Sequence, residues 1–326
     1  MYDVQLAKLR QRRCGHGPGR VALDLSVMLA DGGEAIADLA VLRDQSDVFG
    51  PVASDATAWR VLSMMDKRML ARVHAARAAA RRQAWAQLAA SGGELPAASA
   101  AGRRIDGLVL DLDATIVVCH SEKQSATPTW KKTFGYHPLR CSLDNTGEAL
   151  SGLLRKGRAG SNTTADHILV LKQALAQIPE THRYGHEILV RTDSAGCTHG
   201  LLAYIRRLRK KGIRARFSVG VAITEPVREA IRQARDWMPA IDLDGELREG
   251  AEVCELTGLV PADDYPKGTR SSCAANDPSS WRPVTAPTPA SRTASAAART
   301  PGSAASRPAC SRSTRPGFSW RWSRST

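Results

Sequence analysis

Two apolar runs, each broken or ended by aspartate, dominate the hydrophobic pattern of this chain. One is Val109-Leu110-Asp111-Leu112-Asp113-Ala114-Thr115-Ile116-Val117, and the other is Ile188-Leu189-Val190-Arg191-Thr192-Asp193. Short apolar runs rich in β-branched residues predict buried strands. The pattern around them predicts strands over 105–118, 134–143 and 149–154. Pro138 marks an edge or a bulge in the second of these. The connections are too short for helical crossovers, so the three strands pair antiparallel. A helix follows, with Thr163 and Asp166 at capping-box spacing and Ile168, Leu171, Leu175 and Ile178 on one face. Then come a strand over 187–192, a helix over 198–211 and a strand over 215–221. The predicted fold class is α/β, a ribonuclease H-like mixed sheet flanked by helices. A helix over 226–234 and a strand over 252–257 read as the start of an insertion.

The first hundred residues lack strand-like alternation. Helices are expected over 21–29, 35–42, from Asp55 behind an N-cap at Ser54, and over 70–88. The last is rich in Ala and carries Arg72, Arg77, Arg81 and Arg82. Those arginines fit phosphate contacts, and they equally fit a solvated helix face, because a basic helix alone is weak evidence. The small-residue stretch over 91–102 reads as a linker. The expected domains are a helical DNA-binding region over 1–100, a catalytic core over 101–268 and a disordered basic tail over 269–326.

Composition sharpens this picture at the C-terminus. The net charge is +14, which points to a polyanionic partner. From Ser271 onward there are eight arginines, one acid (Asp277) and no Leu, Ile or Met. Such a segment cannot bury enough apolar surface to offset its chain entropy. It is read as an out-of-frame continuation, with a nucleic-acid-binding tail as the alternative. The seven cysteines form no C-x-x-C pair, so neither a zinc knuckle nor a disulfide framework is signalled, and a reducing cytoplasm fits. No apolar run reaches the ~18 residues that would span a bilayer, and no membrane association is expected.

The chemistry rests on aspartates. Asp111 and Asp113 share a strand face, and Asp193 ends the strand expected beside them. A carboxylate at the tip of a buried strand is costly without a cation. Asp113 and Asp193 could therefore hold Mg²⁺ or Mn²⁺, hard cations that prefer oxygen, and two such ions could activate a nucleophile and stabilise a leaving oxygen on a scissile phosphate. Strand-end aspartates can also be simple turn formers or caps. Arg155, Lys156 and Arg158 in a Gly-rich loop, and Arg206, Arg207, Lys210 and Lys211 after the second aspartate, are the candidate DNA contacts. Lys123, Lys131 and Lys132 surround the second strand. His120, His137, His167 and His199 read as structural or phosphate-near, and Trp59, Trp85, Trp130 and Trp237 as packing rather than base stacking.

Taken together, the segments 110–123, 134–138, 144–148, 160–162, 165–167 and 190–196 resemble DDE transposases of bacterial insertion sequences. The resemblance covers residues 20 to 268. It implies a ribonuclease H-like core, Mg²⁺-dependent strand cleavage and strand transfer at element ends, double-stranded DNA (terminal repeats and target) as partner, and a homodimer in synapsis. Asp113, followed by Ala114 and Thr115, matches the first catalytic aspartate, with Asp111 as the less favoured choice, and Asp193 matches the second. The third carboxylate of the family has no counterpart here. Nor has its Leu-rich C-terminal region, so the sequence is expected to be a truncated, frameshifted member. Two rival readings stay open. Asp111-Leu112-Asp113-Ala114-Thr115 also fits the D-x-D-x-T loop of haloacid dehalogenase-like phosphatases, with Asp111 as nucleophile. A non-catalytic DNA-binding fragment would keep the basic surfaces without the chemistry.

Overall fold

Leu108, Val109, Leu110 and Leu112 are buried, Asp111 is half-buried and Asp113 is exposed, so the first aspartate-bearing run is a strand with one apolar face and one polar face. The computed structural model describes residues 2–9, 15–100, 102–119, 123–242, 245–261, 265–275 and 318–322. The N-terminal part holds α1 (Tyr2–Leu6), α2 (Pro18–Ala30), α3 (Leu39–Arg43), α4 (Ser46–Phe49), α5 (Asp55–Ser63) and α6 (Lys67–Ala90). A hairpin of β1 (Ala98–Ala100) and β2 (Arg103–Ile105) follows, and then β3 (Leu108–Ala114), β4 (Val117–Val118), β5 (Thr127–Pro128), β6 (Phe134–Tyr136), β7 (Leu139–Leu143) and β8 (Glu148–Leu153). The chain continues through α7 (Thr164–Gln177), α8 (Glu180–Gly185), β9 (Glu187–Thr192), α9 (His199–Leu208), β10 (Arg214–Val221) and α10 (Glu225–Gln233). It ends in β11 (Met238–Ile241), β12 (Leu247–Glu255), β13 (Thr269–Ala275) and β14 (Phe318–Trp322).

The main sheet runs in the order β11-β12-β13-β14-β10-β9-β3-β7-β8. Its β8-β7-β3 portion is antiparallel, whereas β3, β9 and β10 are mutually parallel. The helices of the parallel half lie in the connections, as parallel pairing requires. This is the mixed sheet flanked by helices that the alternation predicts. Leu110, Leu112, Cys141, Leu143, Ile188, Val190 and Phe217 form the sheet side of the core, against Leu171 and Leu175 of α7 and Leu201 and Ile205 of α9. Each such side chain contributes about 1.5–3 kcal/mol on burial. The antiparallel start also removes the phosphatase reading, which needs parallel strands joined by helical crossovers.

A second cluster, built from Val21, Leu25, Met28, Leu39, Leu42 and Val61, gives the N-terminal helices their own core. The longest of them, α6, instead joins the sheet domain through Trp85. Asp66 caps it by accepting from the Met69 N–H at 2.7 Å. Arg81, also on α6, is buried and donates to Glu148 at 2.7 Å and to Gln177 at 2.9 Å. No helix among the described residues is long and apolar enough to cross a membrane.

Four local expectations need correction. The strand expected over 105–118 stops at Ala114, because the chain then turns into a separate sheet of β4, β6 and β5. The strand expected over 134–143 splits at His137-Pro138, since a proline has no N–H for a ladder and the buried His137 sits there instead. The Thr163 capping box does not form. Its hydroxyl donates to the Gly160 carbonyl at 3.1 Å, and Asp166 accepts from Arg155 at 3.3 Å. Finally, Thr269–Ala275 is a strand although it falls within the tail predicted to be disordered. Its Ser271 and Cys273 are buried and its backbone pairs with β12 and β14. Backbone ladders need no Leu or Ile, so the hydropathy pattern does not reveal them. Phe318–Trp322, in the same predicted tail, is strand β14, and residues 276–317 lie outside the described residues.

On the polar face of the sheet, Arg191 faces Asp111 across the β3–β9 pair. Its Nε and Nη2 donate to the two Asp111 carboxylate oxygens at 2.6 and 2.7 Å. Nη2 also lies 2.9 Å from Asp144, which directly follows β7. A planar guanidinium grips a carboxylate in this two-pronged way and a lysine cannot. One cation thus ties three consecutive strands together. Replacing it with Arg191→Leu should leave two neighbouring carboxylates uncompensated and lower the free energy of urea unfolding by about 2–4 kcal/mol. Arg191→Lys should lose roughly half as much, because it keeps the charge but not the fork.

The pair linking α6 to β8 makes a pH prediction. Burial pushes the Glu148 carboxyl up, but the hydrogen bonds and charge of Arg81 outweigh it and hold the group below its ordinary value. A carboxyl depressed in the folded chain adds stability above its unfolded value of about 4.3 and loses it as the pH falls through the folded value. Urea-unfolding stability should therefore drop on acidification from about pH 5 to pH 3. In Glu148→Gln that part of the drop should be absent.

Candidate active site

Leu112 and Thr192 are the last paired residues of the parallel β3–β9 ladder. One step further on each strand stand Asp113 and Asp193, so the register alone sets these two carboxylates at adjacent strand ends. Val219 of β10 pairs with Thr192 on the other side, which brings Gly220 against Asp193. A Cβ at Gly220 would sit 3.0 Å from the Ser194 nitrogen and 3.5 Å from the Asp193 Cα, so the close approach of the third strand favours glycine.

Asp193 leaves the strand to cap a short 3-10 turn, Ser194–Gly196, where its Oδ1 accepts from the Ala195 N–H at 3.0 Å. The turn-former reading of this aspartate is thus part of its role, and the residue is nevertheless exposed. Asp113 pairs through its backbone register with Arg140 of β7, while its exposed side chain makes no hydrogen bond or ion pair among the described residues. Asp111 is different: both its oxygens are engaged by Arg191. It is held as a strand clasp, which disfavours it as nucleophile or metal ligand.

Asp193 lines a cleft of about 950 Å³ at this end of the sheet. The walls come from Ser194, Ala195 and Cys197 after β9, from Gly157 to Asn162 before α7, from Thr224, Pro226 and Val227 at the start of α10, and from Trp130 and Tyr265. Ala114 lines the cleft and Asp113 does not, so Asp113 stands beside the cleft rather than within it. Among the described residues no group of three or more His, Cys, Asp or Glu converges as a metal cage. Glu225 and Glu229 do not supply a third carboxylate, because they pair with Arg228 and Arg232 along exposed α10. Asp244 and Asp277 lie outside the described residues. Two hard carboxylates still suit Mg²⁺, which commonly keeps several waters and takes one or two protein carboxylates together with substrate phosphate oxygens.

Cysteine chemistry does not fit this cleft. Burial pushes the Cys197 thiol up, against a smaller opposing hydrogen bond from Tyr265, so the thiolate that would be needed as a nucleophile is disfavoured. His137 and His167 are buried, each with its Nδ1 bonded to a backbone carbonyl, of Ala159 at 3.0 Å and of Thr163 at 2.9 Å. These bonds give both rings a structural part, and His137 also lines the cleft. His199 lies 5.4 Å from the Tyr265 ring, between ring centres. His120 lies outside the described residues.

The predicted DNA contacts separate into three groups. Lys156 and Arg158 are exposed on the loop that walls the cleft. Arg155 is not available: it is buried and donates to the His137 carbonyl at 2.9 Å, the Gly160 carbonyl at 3.1 Å and Asp166. It is the staple of the Gly-rich loop, a correction to its reading as a DNA contact. Arg206, Arg207, Lys210 and Lys211 are exposed, but α9 starts at the cleft end of the sheet, where Thr198 bonds Thr164 at 2.9 Å. The basic residues close the far end of this ten-residue helix, roughly 15 Å away. Sequence reasoning missed two features: the Arg191 clasp and the exposure of Trp130. The first was signalled by a lone arginine inside an apolar run.

A model of the transposase DDE domain group 1 family matches residues 4–246. No curated protein matches. Among solved structures the chain is similar to piggyBac transposase in the cryo-EM structure of its synaptic complex with hairpin DNA. The identity is 12% over 78% of this chain and 54% of that chain, with a TM-score of 0.35. This chain therefore spans about half the length of that one. Because the family match runs through the N-terminal helices, both aspartate-bearing strands and α10, the chain belongs to the transposase DDE domain family, group 1.

Proposed function

We propose that this transposase domain cuts and joins DNA at the ends of an insertion sequence, using a ribonuclease H-like core with Asp113 and Asp193 as its metal-binding pair. The observation that carries this reading is the β3–β9 register, which sets two exposed carboxylates at neighbouring strand ends by a cleft that Asp193 and Arg158 both line. Mg²⁺ or Mn²⁺ bound there would supply Lewis-acid activation of a water or 3′-hydroxyl and charge stabilisation at the phosphate. The rest is the work of the chain. Asp113 and Asp193 would hold the cation. The cap to Ala195 fixes the Asp193 rotamer. The Arg191 clasp fixes the level at which β3 ends relative to β9. Lys156 and Arg158 would hold the phosphate backbone along the cleft wall, and Arg206, Arg207, Lys210 and Lys211 would meet a more distant stretch of the same duplex.

In this reading the helices over residues 1–100 add DNA contacts, the terminal repeats and the target are both double-stranded DNA, and two copies act together in synapsis. A second reading is favoured by one observation: no third carboxylate joins the pair among the described residues. The chain would then bind DNA without cutting it.

Mg²⁺-dependent nicking of a supercoiled plasmid separates the two. Asp113→Asn and Asp193→Asn should each lower the nicking rate by at least about 100-fold, the scale expected when metal-assisted chemistry is lost. Asp111→Asn should act mainly through stability, and its residual rate should recover at low temperature. Tight, salt-dependent DNA binding with no nicking by the wild type would favour the binding-only reading. Equal nicking by all three variants would contradict the assignment of the pair.

A further inference from the structure

Trp130 is 70% exposed. Single exposed apolar residues are common on protein surfaces and need no explanation by themselves. This one differs in where it stands and how it is held. It lines the same cleft as Asp193. The turn that carries it, between β5 and β6, is closed by the Thr129 N–H to the Thr133 carbonyl at 2.7 Å and the Lys132 N–H to the Thr129 carbonyl at 3.0 Å. The two threonine hydroxyls add a bond at 2.7 Å. Lys132 sits in the left-handed region at φ 59°, a conformation a lysine adopts only where the surroundings impose it.

The hairpin is also fastened to the cleft wall. The Arg158 N–H donates to the Thr127 hydroxyl at 2.9 Å. Gly157 packs so closely on the hairpin that a Cβ there would collide with the carbonyl oxygens of Thr127 and Gly135. The indole is therefore presented outward by a rigid support. Lys131 Nζ stands 5.2 Å from the Trp130 ring centre, within cation–π reach, and most of the side chain stays exposed beside it.

A flat, preorganised aromatic face beside lysine and arginine suits one kind of ligand. Nucleobases stack on such faces, while neighbouring cations take the backbone phosphates. A base inside a duplex shows only its edges, so a stacked base must be unpaired or turned out of the helix. We propose that Trp130 stacks on an unpaired nucleobase of the DNA strand that enters the cleft, and so positions that strand at the Asp193 end of the sheet. This inference rests on the reading of the cleft as a DNA-cutting site, but its test does not require cutting.

The test is fluorescence anisotropy in EDTA, with a short labelled single-stranded oligonucleotide and its duplex, on the full chain as wild type, Trp130→Ala and Trp130→Phe. A 2-aminopurine at the centre of the single strand reports stacking directly. Because the indole is exposed, all three proteins should unfold at the same urea concentration. Trp130→Ala should weaken single-strand binding about tenfold and duplex binding less than about twofold. Trp130→Phe should restore most of the affinity, and the wild type should quench 2-aminopurine where the alanine variant does not. The proposal is overturned if alanine leaves single-strand affinity unchanged, if it weakens both ligands equally, or if the wild type binds no single strand. Trp130-dependent quenching in a wild type that never nicks DNA would keep this inference and remove the catalytic one. Metal-dependent nicking unaffected by Trp130→Ala, with no quenching, would do the reverse.

Discussion

Parallel pairing of β3 with β9 is the constraint on which the rest of the molecule depends. It buries Leu110, Leu112, Ile188 and Val190 in one core, and it sets the level at which the two strands end. A slip of one residue would turn the apolar residues to the polar face. It would also part Arg191 from Asp111 and Asp113 from Asp193. The clasp of Arg191 on Asp111 and Asp144 acts on this same register from the polar side. Hydrophobic burial and charge pairing therefore agree on one alignment, and the candidate site is a consequence of that alignment rather than a separate device.

The division of labour between Asp111 and Asp113 follows from it. The two are on the same strand face, two residues apart. One lies level with a guanidinium in the next strand and is engaged on both oxygens. The other lies one residue beyond the β3–β9 ladder, still paired with Arg140 of β7, and its side chain is exposed. Chemically identical groups thus take different roles because the neighbouring strand stops at Thr192.

Much of this was legible in the residues. The apolar runs place β3, β9 and β10 to within a few residues, and the short connections after β3 give the antiparallel pairs. The heptad-like spacing of Ile168, Leu171 and Leu175 gives α7. What was not legible depends on tertiary contacts. Arg155 looks like a phosphate ligand in a Gly-rich loop, yet it is buried among backbone carbonyls that no local pattern announces. Arg206 to Lys211 follow Asp193 closely in sequence, but a helix carries them to the other end of the sheet. Thr269–Ala275 pairs through its backbone, to which hydropathy is blind. Trp130 reads as packing until the turn around it is seen to hold it outward.

The central claim is that Asp113 and Asp193 together form a divalent-cation site. Its most direct measurement is Mn²⁺ binding to the full chain by electron paramagnetic resonance, without DNA, compared among the wild type, Asp113→Asn and Asp193→Asn. The account predicts one Mn²⁺ site in the wild type that is lost or greatly weakened in both variants while their folding is intact. Undiminished Mn²⁺ binding in either variant, or none in the wild type even when DNA is added, would contradict it.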